Sequence, residues 1–333
     1  MSDPLLVEVT RGDLVESVHR VAACVVDTRD AVLYQAGDIE VPVYLRSSAK
    51  PFIAAAIARS GAVARFNLAP REIAVIAASH YGEPFHLDAV ESILDKIGMD
   101  AAALQCGAHW PYDESAAAAL RAAGKKPTAL HNNCSGKHAG ILALCTTIGA
   151  DTATYLEPEN PAQRYILEFC ARITGDDAVT WPLGVDGCGI PVYATSLRAA
   201  ARSFGRLATQ DGVDLADAAA LRAVRDAMLA FPEYVAGTAQ FDTELMRVAV
   251  GSVVAKAGAE GVHGAGAIPL GYGYAAKVLD GSSRARGPST IAVLRHIGIL
   301  DEGKAEELAR FAAPPVYNRA GEIVGRIRVS PRA

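Results

Sequence analysis

The chain has 333 residues, 51% of them hydrophobic, and a net charge of -5 with both signs interspersed along its length. That is enough apolar content to bury a large core, which excludes a disordered chain. No basic or acidic field points to a nucleic-acid or anionic-membrane surface, so a small molecule is the expected ligand.

The first 45 residues alternate β-branched and polar positions in three runs, LLVEVTRG, VESVHRVAACVVDT and AVLYQAGDIEVPVYL, and predict an antiparallel meander. From Pro51 to about Thr243 alanine-rich helical patterns dominate, among them PFIAAAIARSG, HLDAVESILDKIG, KHAGILALCTTIG and YATSLRAAARSFG. Gly61, Gly98, Gly149, Gly175 and Gly205 stand where helix C-caps belong. After Met246 strand signals return in SVVAKAGAEGVHGAGA, IPLGYGYAAKVLDG and EIVGRIRVS, with a helix predicted over 288–298. Strands at both ends around a helical middle predict an α+β fold. A single domain over 1–333 is expected, its antiparallel sheet lobe at about 1–50 and 246–333 and its inserted helical lobe at about 51–245.

No stretch reaches the roughly 18 apolar residues that a membrane span needs, and the opening residues lack a basic and apolar leader pattern. A cytoplasmic location is expected. Six cysteines, Cys24, Cys106, Cys134, Cys145, Cys170 and Cys188, then read as free thiols or metal ligands rather than a disulfide framework.

Chemistry concentrates in a few short segments. In RSSAK a hydroxyl at Ser47 stands three residues before the amine of Lys50, so a helix start would bring them within reach of each other. The bland reading is a helix cap and a solvated lysine; the chemical one is a serine nucleophile whose base is a lysine of lowered pKa. Lys256, in AKAGAEG, is a second amine on a predicted strand, followed by small residues that permit close backbone approach. Ser79, in ASHYGEPFH, is either a helix C-terminal residue or a hydroxyl relay. In HNNCSGKHAGIL polar groups crowd a helix start whose backbone N–H groups suit an anion. Cys134 there and Cys188 in GVDGCGIPVY are short of the usual four zinc ligands, and His138 reads equally as a packed imidazole. Asp186 forms an Asx-turn or offers a carboxylate to a ligand's ammonium group.

Ser-x-x-Lys early and Lys-Ala-Gly late resemble the S-x-x-K and K-T-G signatures of serine β-lactamases and penicillin-binding proteins, although SHY stands where that group carries S-x-N. Taken together, YLRSSAKPF, ASHYGEPFH, HNNCSGKHAGIL, GVDGCGIPVY and KAGAEGV, in this order over most of the chain, resemble the Rhizobium etli type (class 3, thermolabile) L-asparaginases, whose fold is of the serine β-lactamase and glutaminase type.

The resemblance implies a homodimeric hydrolase that converts L-asparagine to L-aspartate and ammonia. It implies Ser47 as nucleophile with Lys50 as base, Ser79 and Lys256 completing two Ser-Lys pairs, and an accessory zinc site of Cys134, Lys137 and Cys188. Arg46, His138 and Asp186 are the candidates for holding the substrate's α-carboxylate and α-ammonium. The alternatives are a glutaminase, a D,D-peptidase-like acyl hydrolase with the same Ser-Lys machinery, and a zinc-binding homologue without chemistry.

Overall fold

The computed structural model describes residues 2–177 and 180–331, so the extreme ends of the expected 1–333 span lie outside the described residues. The chain forms two compact units. One comprises Met1–Ser48, Thr195–Thr209 and Glu244–Ala333; the other comprises Ala49–Ala194 and Gln210–Thr243. The strands are β1 (Leu5–Arg11), β2 (Leu14–Val26), β3 (Val32–Ala36), β4 (Pro42–Tyr44), β5 (Leu183–Val185), β6 (Pro191–Ser196), β7 (Val253–Ala257), β8 (Val262–Ala267), β9 (Tyr272–Val278), β10 (Pro315–Tyr317) and β11 (Ile323–Val329).

In the first unit eight strands form a sheet of order β10-β11-β1-β2-β9-β8-β7, with β3 also on β2. The pairings of β1, β2, β7, β8, β9 and β11 are antiparallel, and Val7 opposite Val329 joins the two ends of the chain. This is the α+β class, with a sheet assembled from both termini. The first seven residues of β2 are mostly exposed, with His19 buried among them, whereas its last six residues, Val21–Val26, are all buried. A continuous apolar run of this kind belongs to a strand covered on both faces. The run SVVAKAGAEGVHGAGA resolves into β7 and β8, turned at Glu260 (φ 57°) and Gly261 (φ 68°), two left-handed residues as a tight hairpin requires.

Helix Leu197–Thr209 packs on β2, β8 and β9 and belongs to the sheet unit, which corrects its assignment to the helical lobe. The cause is a bed of glycines. A Cβ on Gly264 would meet the Phe204 ring at 1.8 Å, and one on Gly273 would meet the Ala201 carbonyl at 1.9 Å. Only strands without side chains at these points admit the helix backbone so closely. Gly205 is part of the same contact, with its hypothetical Cβ 3.4 Å from the Gly273 nitrogen, so it sits inside the helix and does not cap it. The YATS segment before this helix is the end of β6.

The second unit is helical. Lys50–Arg59, Pro70–Ile76, Pro84–Lys96 and Pro161–Thr174 each carry a proline in the first turn, where the missing N–H costs nothing. Asp113, Asn160 and Asp214 cap Glu114–Ala122, Pro161–Thr174 and Leu215–Ala230 with their side chains. Gly149 and Gly175 close their helices in the left-handed conformation. Helix Ser135–Ile148 is buried from Ser135 through Cys145, so it forms the core of the unit. Its Gly136 and Gly140 lie where a Cβ would strike Val75 and Ile76. Buried Asp217 joins Arg59 at 3.0 Å and Arg172 at 2.8 Å, tying three helices together. A short hairpin of β5 and β6, absent from the sequence-based expectation, carries Cys188 at its turn. Among the described residues no helix is long and apolar enough to cross a membrane.

Candidate active site

Lys50 opens helix Lys50–Arg59 and is only 1% exposed. Its Nζ contacts the Ala78 carbonyl at 2.5 Å, the Ser79 hydroxyl at 3.0 Å and the Asn133 carbonyl at 3.4 Å. A neutral amine has two hydrogens and one lone pair. The two carbonyls can only accept, so each takes a hydrogen of the amine, and Cys134 is a further hydrogen-bond partner; the lone pair that Lys50 would have as a neutral amine is what could receive the Ser79 proton. Burial lowers the Lys50 pKa; the Cys134 thiol opposes this and the Lys137 charge adds to it. A buried amine held toward its neutral form against a hydroxyl is the arrangement that serine activation needs.

The Ser79 loop is built by backbone bonds: the Ser79 N–H donates to Val235, and the His80 N–H donates to the same Asn133 carbonyl that Lys50 contacts. Below it lie two neutral imidazoles, stacked with ring centres 5.1 Å apart. His80 accepts the Gly82 N–H at Nδ1, so its Nε2–H donates to the Ser135 hydroxyl at 2.8 Å. His86 accepts from the Glu83 N–H and donates to the Glu233 carbonyl. Burial pushes His86 down to about 4 and His80 well below its ordinary range. Between pH 4 and about 6.5 the unfolded chain takes up protons that the folded chain refuses, so the stabilisation is complete above pH 6.5 and is lost as pH falls toward 4. For His86 alone this amounts to about 3 kcal/mol. Denaturant midpoints measured from pH 7.5 to 5.5 are expected to fall with pH, and a flat series would contradict the neutral-imidazole assignment.

Three further candidates converge at the start of helix Ser135–Ile148. Lys137 Nζ lies 2.9 Å from Cys188 Sγ, and Cys188 is hydrogen-bonded to Cys134. Cys134 and Cys188 are each 5% exposed and Lys137 1%. The hydrogen bond from Cys188 holds the Cys134 thiol well below its ordinary pKa against the effect of burial, with help from Lys137 and Lys50. The same hydrogen bond and burial push Cys188 up. Burial pulls Lys137 down, but the Cys134 and Cys188 sulfurs and the Asp186 carboxylate outweigh it and the amine's pKa is raised. Two sulfurs and a nitrogen, buried together, suit zinc by softness and by number, leaving one position open. No group of three or more His, Cys, Asp or Glu side chains able to hold a metal occurs among the described residues, so a zinc site here would need Lys137 as its third donor.

His138 accepts or donates at Nδ1 with the Tyr155 hydroxyl at 2.7 Å. Tyr155 already accepts the Gln105 N–H, so its own hydrogen goes to Nδ1 and the imidazole N–H sits at Nε2. That Nε2 is buried without a hydrogen-bond partner. Burial, then the charges of Lys137 and Lys50, hold His138 well below its ordinary pKa. Asp186 stands at the turn of the β5–β6 hairpin, its carbonyl accepting the Gly189 N–H and its Oδ1 the N–H of the next residue, Gly187, rather than that two residues on as in an Asx-turn, and its carboxylate is within electrostatic range of Lys137.

Three N–H groups at and just before the helix start are already engaged. The Asn133 N–H is taken by His109, the Cys134 N–H by the Asn132 side chain and the Ser135 N–H by the Asn132 carbonyl. Tyr155 and His109 both take part in this network and were missed by sequence reasoning; a lone aromatic tyrosine and a histidine in a polar loop carry no spacing signal.

Arg46, Ser47 and Lys256 belong to the first unit. Arg46 has a left-handed backbone (φ 51°), an uncommon state for a side-chain-bearing residue, immediately before Ser47. Ser47 lies on the 3-10 turn Arg46–Ala49 that runs into the Lys50 helix. Lys256 on β7 is 1% exposed, and its Nζ donates to the Ala257 carbonyl at 2.8 Å. The small residue after it serves a different close approach from the one expected: a Cβ on Gly258 would lie 2.6 Å from the Leu45 carbonyl and 3.2 Å from the Ser48 nitrogen, so it is backbone around Ser47 that occupies the space.

A family model described as L-asparaginase II matches residues 7–329. Comparison with curated proteins finds no match. Among solved structures, two of Mglu are similar at 14% and 15% identity and TM-scores of 0.39 and 0.44; they cover 84% and 85% of this chain, which spans 67% and 66% of theirs. A protein of Bacteroides dorei assigned provisionally as a beta-lactamase is similar at 14% identity and a TM-score of 0.42, covering 83% of this chain and 93% of that one.

Proposed function

This chain belongs to the L-asparaginase II family, and on that premise we propose that it hydrolyses L-asparagine to L-aspartate and ammonia through a serine ester formed with lysine as base. The observation that carries the reading is Lys50: fully enclosed, lowered in pKa by burial, and 3.0 Å from a serine hydroxyl. In the proposed first step Ser47 attacks the side-chain amide carbon as its proton passes to Lys50. Ammonia departs with a proton relayed through Ser79 and Lys256, and water then cleaves the β-aspartyl ester. A second reading exchanges the two serines, and the Lys50–Ser79 contact favours it, since Ser79 is the hydroxyl within hydrogen-bond distance of the amine. The oxyanion donors are backbone N–H groups other than those of residues 133–135, which are already engaged.

Substrate recognition is proposed to rest on the buried Nε2–H of His138 as donor to the α-carboxylate, with Arg46 beside it in role and Asp186 receiving the α-ammonium. Cys134, Lys137 and Cys188 are the proposed zinc ligands; the metal, when bound, supplies a fixed positive charge that favours the substrate's carboxylate. Binding requires Lys137 and Cys188 to lose protons, so affinity is expected to rise with pH. A cytoplasmic homodimer is part of the same reading.

One set of measurements tests it. Purified protein is expected to carry zinc by elemental analysis, to lose it in Cys188→Ala, and to release ammonia faster from L-asparagine than from L-glutamine. Ser47→Ala and Ser79→Ala are each expected to lower kcat, the nucleophile's variant by the larger factor. Parent-rate ammonia release by both serine variants would sink the mechanism, and a preference for glutamine would make the chain a glutaminase.

A further inference from the structure

The loop before helix Glu114–Ala122 has no part in the chemistry proposed above, yet it touches both segments that hold Lys50. The lysine's acceptors come from two places: Ala78 and Ser79 on one segment, Asn133 on another. Loop residues 109–113 are fastened to each. On the serine side, the Asp113 N–H donates to the Tyr81 carbonyl at 3.0 Å. Pro111 lies so close to Gly82 (φ 78°) that a Cβ there would be 2.9 Å from the proline ring. On the asparagine side, His109 Nε2 accepts the Asn133 N–H at 2.9 Å.

The tautomer of His109 follows from its partners. Nε2 accepts, so Nδ1 bears the hydrogen and donates to the Trp110 carbonyl at 2.7 Å. The ring stacks on Tyr112 with centres 4.7 Å apart, and Tyr112 meets Tyr81 edge-on at 5.6 Å. Asn133 is thus anchored at its N–H by His109, while the next N–H, that of Cys134, is held by the Asn132 side chain at 2.9 Å. Between these two anchors lies the Asn133 carbonyl, with Lys50 at 3.4 Å and the His80 N–H at 3.2 Å.

We propose that His109 is a positioning residue for Lys50, acting through the backbone of Asn133: the loop 109–113 holds the two segments that accept from the amine at a fixed separation, and so keeps the amine against the Ser79 hydroxyl. The inference rests on the Ser-Lys reading above. It assigns His109 no contact with substrate. Loss of the imidazole acceptor leaves the Asn133 N–H without its partner and removes one of the two anchors that flank the carbonyl facing Lys50. A displacement of that carbonyl lowers the chemical step by about 10- to 100-fold with little effect on substrate binding.

Two variants separate the hydrogen bond from packing. His109→Phe keeps a ring against Tyr112 and removes the acceptor; His109→Gln gives up the ring and places an amide oxygen near the position of Nε2. Steady-state kinetics of ammonia release from L-asparagine at 25 °C, on protein shown folded by circular dichroism, should give His109→Phe a kcat at least about 10-fold below the parent with KM within about threefold. His109→Gln should recover most of kcat. Equal losses in both variants, or a parent-like kcat in His109→Phe, would overturn the proposal. If the unaltered chain releases no ammonia from asparagine, the function is wrong and the positioning is judged from crystal structures. The Lys50–Asn133 contact should then be broken in His109→Phe and kept in His109→Gln, and an intact contact in both refutes it.

Discussion

Lys50→Met lowers kcat for ammonia release by on the order of 10² to 10⁴, the usual contribution of a positioned general base. Methionine fills nearly the same buried volume, so the loss is chemical and not a cavity effect. Two carbonyls, of Ala78 and Asn133, lose a donor, which costs about 1 to 3 kcal/mol each. That cost is offset in part because a buried amine no longer has to be desolvated. Lys50→Arg is the sharper test. Arginine retains the charge and offers more donors, but it does not give up its proton in proteins. If Lys50 serves as base, arginine is as inactive as methionine; if it only supplies positive charge, arginine retains substantial activity. The kinetics of the two variants, with circular dichroism to show that both fold, decide between the roles.

The candidate site was legible in the sequence where its logic is local. Ser47 and Lys50 are three residues apart, so they stood out as a candidate pair without the fold, whereas the hydroxyl in contact with Lys50 is that of Ser79. The enclosure of Lys50 and Lys256 was not legible, because burial is decided by elements far away in the chain. The contact of Lys50 with Ser79 spans 29 positions and that with Asn133 spans 83. His109 and Tyr155 act only through such distant backbone partners and leave no periodicity behind.

The fold shows the same division. The N-terminal strand β1 could be inferred from alternation, since a half-buried strand writes its period into the chain. The β5–β6 hairpin was missed because three residues of β5 are too few to show a period, and the alanines beyond β6 extended the helical pattern backward across it. Gly205 was misread for a physical reason: a glycine that ends a helix and one that lets a helix lie against a strand look identical in sequence. What distinguishes them is the matching gap on the partner, at Gly273, some seventy residues later.

That matched gap carries the second large effect. Gly273→Ala introduces a methyl group whose nearest neighbours are backbone atoms, the Ala201 carbonyl oxygen at 1.9 Å and the Gly205 nitrogen at 2.5 Å. Neither can rotate away as a side chain could, so helix Leu197–Thr209 as a whole must retreat from β9 by well over an ångström. Overpacking of a core typically costs about 1 to 3 kcal/mol, occasionally more, and a clash with two backbone groups of one helix belongs at the upper end, about 3 kcal/mol. At roughly 2 to 4 °C per kcal/mol for a chain of this size or somewhat smaller, the melting temperature falls by about 6 to 12 °C. Gly303→Ala is the control: it sits in helix Glu302–Glu307 with its nearest obstacle 3.6 Å away, and alanine there gains helix propensity. The helix retreat also strains β8, whose other neighbour β7 carries Lys256. Gly273→Ala protein that remains folded at 25 °C is therefore expected to lose activity as well as heat resistance. A melting temperature within about 2 °C of the parent would mean that the glycine bed does not set the spacing between this helix and the sheet.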